Sequence, residues 1–81
     1  MVTIQRTQTG VRIERRLLKV LKGLAEYHDL SLGDLIEGIV LHAFEGKSPF
    51  TSPESRRRVE ALKEIFELEL TAADSHNLRE E

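Results

Sequence analysis

Two different periods of hydrophobic and polar residues follow one another along this chain. Residues 8–13 alternate, which is typical of a strand with one buried face. The apolar face of this predicted strand carries Thr9, Val11 and Ile13. The opposite face, which would point outward, carries Gln8, Gly10 and Arg12. From Glu14 onward the period becomes helical without an intervening loop.

Three helices are predicted. The first spans about residues 14–28, and its apolar stripe comprises Leu17, Leu18, Leu21, Leu24 and Ala25. The second begins after the N-cap Ser31 and ends before Gly46, with a stripe of Leu32, Leu35, Ile36, Ile39, Val40, Ala43 and Phe44. Leu41 lies outside that stripe, which suits a helix packed against more than one neighbour. The third begins with the cap Ser52 and Pro53, and we expect it to reach about Leu70.

The chain therefore divides into four predicted regions. A flexible arm (1–7) precedes the strand-helix-helix segment (8–46), which is followed by a connector with the third helix (47–70) and a mobile tail (71–81). Within that tail Thr71 and Asp74 could cap one more short turn. The 81-residue length indicates a single small domain.

The strand-helix-helix segment is too short to enclose a core by itself, and a lone strand has two unpaired edges. With no cysteine in the chain, neither a disulfide nor a cysteine metal site can compensate. A second copy of the same chain is the economical solution, with the two strands forming an antiparallel ribbon over four helices. Such a ribbon fits a DNA major groove.

The net charge of −2 conceals a strongly uneven distribution. Residues 1–22 contain six basic residues against Glu14 alone, a net charge of +5. Residues 23–46 contain five acidic residues and no lysine or arginine, a net charge of −5, and residues 47–81 carry −2. A dimer would bring two +5 segments together, which favours a nucleic-acid partner over the alternative of a merely solvated basic surface.

Several other classes of protein are not supported by the residues present. No nucleophile motif, glycine-rich phosphate loop or carboxylate pair indicates an enzyme, and no cofactor is expected. The three histidines form no ligand pair at i, i+4, so no metal site is expected. Because the chain has neither a signal-peptide pattern nor an apolar run near the ~20 residues that cross a bilayer, we expect a cytoplasmic protein without a membrane partner.

Three segments resemble the ribbon-helix-helix family of DNA-binding proteins over about residues 8–46. They are Gly10-Val-Arg-Ile-Glu-Arg-Arg-Leu17, Leu21-Lys-Gly-Leu-Ala25 and Leu30-Ser-Leu-Gly-Asp-Leu-Ile-Glu37. The resemblance implies a mostly α-helical, intertwined homodimer whose two-stranded ribbon enters the major groove, here with an added C-terminal helix. It also implies that the outward strand residues contact bases, and these are Gln8, Gly10 and Arg12. Arginine suits guanine and glutamine suits adenine, whereas glycine contributes no side chain.

The family also anchors DNA phosphates on the N-terminus of its second helix, which here corresponds to Ser31, Leu32 and Gly33. Free backbone N–H groups and the helix dipole favour an anion at that position. Further candidates for phosphate contacts are basic residues of the arm and of the first helix: Arg6, Arg15 and Arg16. The run Arg56-Arg57-Arg58 is interpreted as a solvated face instead.

These features lead to the hypothesis of a sequence-specific transcriptional regulator, a repressor, which binds double-stranded DNA as a homodimer or as dimers assembled side by side. The alternative is a protein-interaction module, such as an antitoxin-like protein that captures a protein partner through residues 53–70. The third helix could instead pack on the dimer and enlarge its core.

Overall fold

A computed structural model describes residues 2–81 and contains three helices and two short strands. In chain order the elements are β1 (Val2–Ile4), α1 (Arg15–Tyr27), α2 (Leu32–Phe44), α3 (Pro53–Ile65), a 3-10 turn (Ala72–Asp74) and β2 (Leu78–Glu80). The prediction of a mostly helical chain with three helices is confirmed. Within the described residues, no helix combines the length and the apolar content needed to cross a membrane.

Each helix begins at a side chain that accepts hydrogen bonds from the first turn. The carboxylate of Glu14 accepts from the backbone N–H groups of Arg16 and Leu17, so α1 starts directly after the predicted strand. The hydroxyl groups of Ser31 and Ser52 cap α2 and α3 in the same way. The predicted starts of all three helices are confirmed. They could be predicted because each cap contacts residues only two or three positions away.

The end of α3 differs from the prediction. The helix stops at Ile65 instead of continuing to about Leu70. Glu67 adopts a left-handed conformation with φ of 55°, and the backbone N–H of Leu68 donates to the carbonyl oxygen of Lys63 at 2.8 Å. This is the hydrogen bond of a Schellman motif, which terminates a helix and reverses the chain. Leu68 then packs near Phe44, on α2, beside an apolar cavity of about 240 Å³.

The two ends of the chain pair with each other, a contact that the predicted flexible arm and mobile tail did not anticipate. β1 and β2 form a parallel two-stranded sheet in which Val2 faces Leu78 and Ile4 faces Glu80. Val2, Ile4 and Leu78 are half-buried, so the pairing also removes apolar surface from water. Met1 of the predicted arm lies outside the described residues. The short turn expected after Thr71 is confirmed as the 3-10 turn.

α2 lies at the centre of the molecule and is contacted by α1, α3 and the 3-10 turn. Its buried residues are Gly38, Leu41 and Ala43, and Gly38 lies against the C-terminal segment. Gly38 has a steric role there, since a Cβ at this position would approach the ring of His76 to 2.9 Å. The expectation that α2 packs against more than one neighbour is therefore confirmed.

The core is small, and much of the predicted apolar surface faces solvent. Only Ala25, Leu41 and Ala43 form the buried hydrophobic core among the described residues. The large exposed apolar residues of α1 are Leu17, Val20, Leu24 and Tyr27, and those of α2 are Ile36, Ile39 and Val40. A third exposed group lies at the end of α3 and comprises Leu62, Ile65 and Phe66. A single chain thus leaves three helices incompletely covered.

Candidate nucleic-acid interface

The candidate interface is centred on residues 8–13, the segment predicted to form the ribbon. This segment lies between β1 and α1, and none of the described residues pairs with it as a strand. Both of its predicted faces are exposed, including the side chain of Val11 at 82% and that of Ile13 at 44%. An antiparallel partner for it would have to come from a second chain, so the strand at 8–13 stays a prediction.

The three predicted base-contacting residues, Gln8, Gly10 and Arg12, are all solvent-exposed. Within the described part of the chain Arg12 has no ion pair, so its guanidinium group is available to an external acceptor. Gly10 does not have a positive φ, and a Cβ built on it would meet no atom within 4 Å. The backbone at Gly10 therefore leaves room for a side chain without requiring glycine.

Glu14 connects the predicted reading strand to α1. Its carboxylate accepts from the N–H group of Arg16 at 2.9 Å and from that of Leu17 at 3.0 Å. These hydrogen bonds, assisted by the nearby Arg16 guanidinium at 3.5 Å, hold the pKa of Glu14 below its ordinary value. The ionised cap fixes the start of the helix immediately after Ile13, which limits the directions that the preceding segment can take.

Basic side chains extend from this cap along α1. The exposed residues of this group are Arg15, Arg16, Lys19 and Lys22. Of these, only Arg16 forms an ion pair within residues 2–81, and its partner is the cap Glu14. The group therefore presents positive charge that the folded chain leaves largely uncompensated, next to the segment that carries Arg12.

The N-terminus of α2 contains the second predicted phosphate site. The hydroxyl oxygen of Ser31 accepts a hydrogen bond from the backbone N–H group of Asp34 at 3.1 Å. In the described residues, the backbone N–H groups of Leu32 and Gly33 have no acceptor, as expected for the first turn of a helix. Asp34 adds a negative charge in the same turn, but its carboxylate lies 2.9 Å from Nδ1 of His76.

Arg6, the remaining predicted phosphate contact, is already engaged. Its guanidinium group donates to both carboxylate oxygens of Glu37, at 3.0 and 2.8 Å, and lies 3.5 Å from Glu80. Hydrogen bonding to Glu37, reinforced by Glu80, raises the pKa of Arg6 above its ordinary value. These contacts give Arg6 a structural role, because they join the N-terminal strand, α2 and β2.

The acidic residues of α2 that bind the two end segments of the chain were not predicted from the sequence. Glu37 binds Arg6, Asp34 contacts His76, and Glu45 accepts from the backbone N–H of Ala72 at 2.6 Å. These three acids recur along one side of α2, and that spacing is the only sequence signal that could have indicated a covered polar face. Their partners are distant in sequence, so no local pattern could identify them.

Comparisons with family models, with curated proteins and with solved structures found no match to this chain.

Proposed function

We propose that this protein is a homodimeric, sequence-specific DNA-binding regulator of the ribbon-helix-helix type and that it acts as a repressor. The observation that carries the proposal is the exposed, unpaired segment 8–13, which continues directly into a helix rich in uncompensated positive charge. In the proposed dimer, segment 8–13 pairs with its counterpart in antiparallel orientation and forms the ribbon.

The exposed apolar surface of α1 and α2 supports dimerisation. Ile36, Ile39 and Val40 follow the i, i+3, i+4 spacing, so they form a continuous stripe on α2. The opposite side of α2 is covered by the C-terminal segment, which leaves this stripe as the side available to a second chain. Burial of such a stripe together with Val11 and Ile13 would provide the core that one chain lacks.

The outward face of the ribbon would then read base edges. Arg12 can donate two hydrogen bonds to guanine O6 and N7, and Gln8 can form a bidentate pair with adenine. Gly10 brings the backbone close to the groove without a side-chain contact. Phosphate contacts come from Arg15 or Arg16 and from the free N–H groups of Leu32 and Gly33, which fix the register of the ribbon on the duplex. Arg6 is not assigned a phosphate contact.

Selection from random duplex DNA at physiological salt tests this proposal. We expect the native chain to enrich a motif with two-fold related half-sites, because a symmetric dimer presents the same ribbon residues twice. Replacement of Arg12 with alanine should blur one base position in each half-site, at a cost of about 1–3 kcal/mol per contact. Arg79→Ala is the matched control, since Arg79 is an exposed arginine of β2 far along the chain from the ribbon.

A second measurement separates base contacts from phosphate contacts. Arg15→Ala should weaken binding to all sequences and lower the salt dependence by about one counterion per half-site, with the enriched motif unchanged. If the native chain enriches no sequence, or if Arg12→Ala leaves every base preference intact, direct readout by this ribbon is refuted.

A further inference from the structure

Helix α3 has an apolar stripe that the rest of the chain does not cover. The helix packs on the molecule through half-buried residues spaced four apart, Ser55, Val59 and Lys63. The stripe lies to one side of this contact and comprises Ala61, Leu62 and Ile65. Leu62 is 53% exposed and Ile65 is 68% exposed, so their apolar atoms remain largely in water. The small side chain of Ala61 would allow another helix to approach closely.

Two opposite charges flank this stripe on the same side of the helix. Arg57 lies in the N-terminal half of α3, and Glu64 lies in its last turn. Neither has an ion pair within residues 2–81. Their separation of two turns, about 10 Å, is too long for them to pair with each other in one helix. Each is therefore available to a charge on another molecule.

The placement of these charges is unfavourable for an isolated helix. Glu54 and Lys63 complement the helix dipole at its two ends, and Arg58 pairs with Glu54, whereas Arg57 brings positive charge toward the positive end and Glu64 brings negative charge to the negative end. In an antiparallel neighbour with the same sequence the dipole points the other way, so each of these charges lies beside an opposite charge. The neighbour would place its own Glu64 beside Arg57 and its own Arg57 beside Glu64, on the same flank of the two helices.

We propose that α3 is a second self-association surface, which packs antiparallel against α3 of a second copy of this chain about a two-fold axis. Ala61 and Leu62 lie at the crossing point, and Ile65 covers the apolar contact on each side. Arg57 pairs with Glu64 of the partner subunit, and the symmetry generates the same pair again. This contact is separate from the ribbon. With the ribbon dimer of the proposed function, on which the size of the assembly rests, it gives a tetramer in which both α3 helices of one dimer pair with both α3 helices of another.

The two-fold arrangement allows a charge-reversal experiment within a single chain. In Arg57→Glu or in Glu64→Arg alone, both symmetric contacts become like-charge pairs, and we expect association to weaken about tenfold. In the double variant Arg57→Glu/Glu64→Arg each contact again joins opposite charges, so association should return to nearly the native strength. Ile65→Lys places a charge in the apolar stripe and should abolish the contact.

Sedimentation velocity of the full chain over a concentration series, with far-ultraviolet circular dichroism as the check on folding, measures these effects. We expect a native tetramer that Ile65→Lys converts to a dimer. A native dimer that Ile65→Lys converts to a monomer, and that the single charge reversals weaken but the double reversal restores, would support the α3 contact and refute the ribbon dimer. A native assembly whose mass is unchanged by Ile65→Lys, or a double reversal as weak as the single variants, would overturn the proposal. In that case the apolar stripe of α3 would not bind a second copy of this chain, and a partner of different sequence would be the remaining candidate.

Discussion

Ile39 provides a quantitative test of the proposed dimer. It lies in the middle of the exposed stripe of α2 and is 52% exposed in the single chain. Complete burial of an isoleucine side chain stabilises by about 1.5–3 kcal/mol, so covering the remaining half contributes roughly 1 kcal/mol. Two copies in a symmetric dimer contribute roughly 2 kcal/mol, which corresponds to a factor of about 30 in the dissociation constant.

The substitution Ile39→Gln removes this contribution and retains a good helix former. We therefore expect the dimer dissociation constant to rise by about 30-fold or more, since the buried amide adds a desolvation cost. Sedimentation equilibrium or the concentration dependence of the melting temperature measures this change. The matched control is Ile65→Gln on α3, which should leave the ribbon dimer intact and affect only the larger assembly.

If Ile39→Gln leaves the dissociation constant unchanged, the proposed burial of the α2 stripe in the dimer is refuted. This result would mean that the α2 stripe stays in water and that the four-helix arrangement over the ribbon is incorrect. An equal effect of both substitutions would also contradict it, because the two isoleucines are assigned to different interfaces.

Three further predictions concern the folded chain itself. Gly23→Ala should raise the free energy of unfolding by about 1 kcal/mol, because a Cβ at this position of α1 meets no other atom. Gly38→Ala should raise it less, because the new Cβ displaces the ring of His76, and urea denaturation of the two variants measures the difference. Because the pKa of Glu14 is lowered from its ordinary value of 4.5, the ionised cap stabilises the fold at pH values above 4.5, and this contribution is lost as the pH falls through the folded-state pKa. Glu14→Gln should therefore flatten the acid side of the curve of stability against pH. Glu37→Gln should speed amide exchange in β1 with little effect on exchange in α1, as measured by mass spectrometry.

The helices show which parts of the fold were predictable. Glu14, Ser31 and Ser52 each satisfy N–H groups two or three residues away, so the sequence around them is sufficient to predict where the helices begin. The end of α3 was harder, because no glycine marks it and apolar residues continue to Leu70. There the chain reverses at Glu67, a residue type that rarely adopts a positive φ.

The candidate interface was predicted from the same kind of local pattern, and the single chain does not test it. Alternation placed Gln8 and Arg12 on one face of a strand, and the charge count along the chain located the basic segment next to it. Both are one-dimensional patterns. All of residues 8–13 are exposed, so the exposure of Gln8 and Arg12 does not distinguish one face from the other, and the assignment stays a prediction. The role of Arg6 was not accessible in this way, since an arginine near a chain end has no local feature that distinguishes an ion pair from a phosphate contact.

The sequence by itself determined the three helices, their starting residues and the segregation of basic from acidic surface, because each depends on residues within a few turns of one another. Only the tertiary structure decided how the chain ends meet. The pairing of β1 with β2, the ion pair of Arg6 with Glu37 and the contact of His76 with Asp34 join residues more than 30 positions apart. Such contacts depend on which helix faces come together, and that choice follows from the packing of the whole chain around α2.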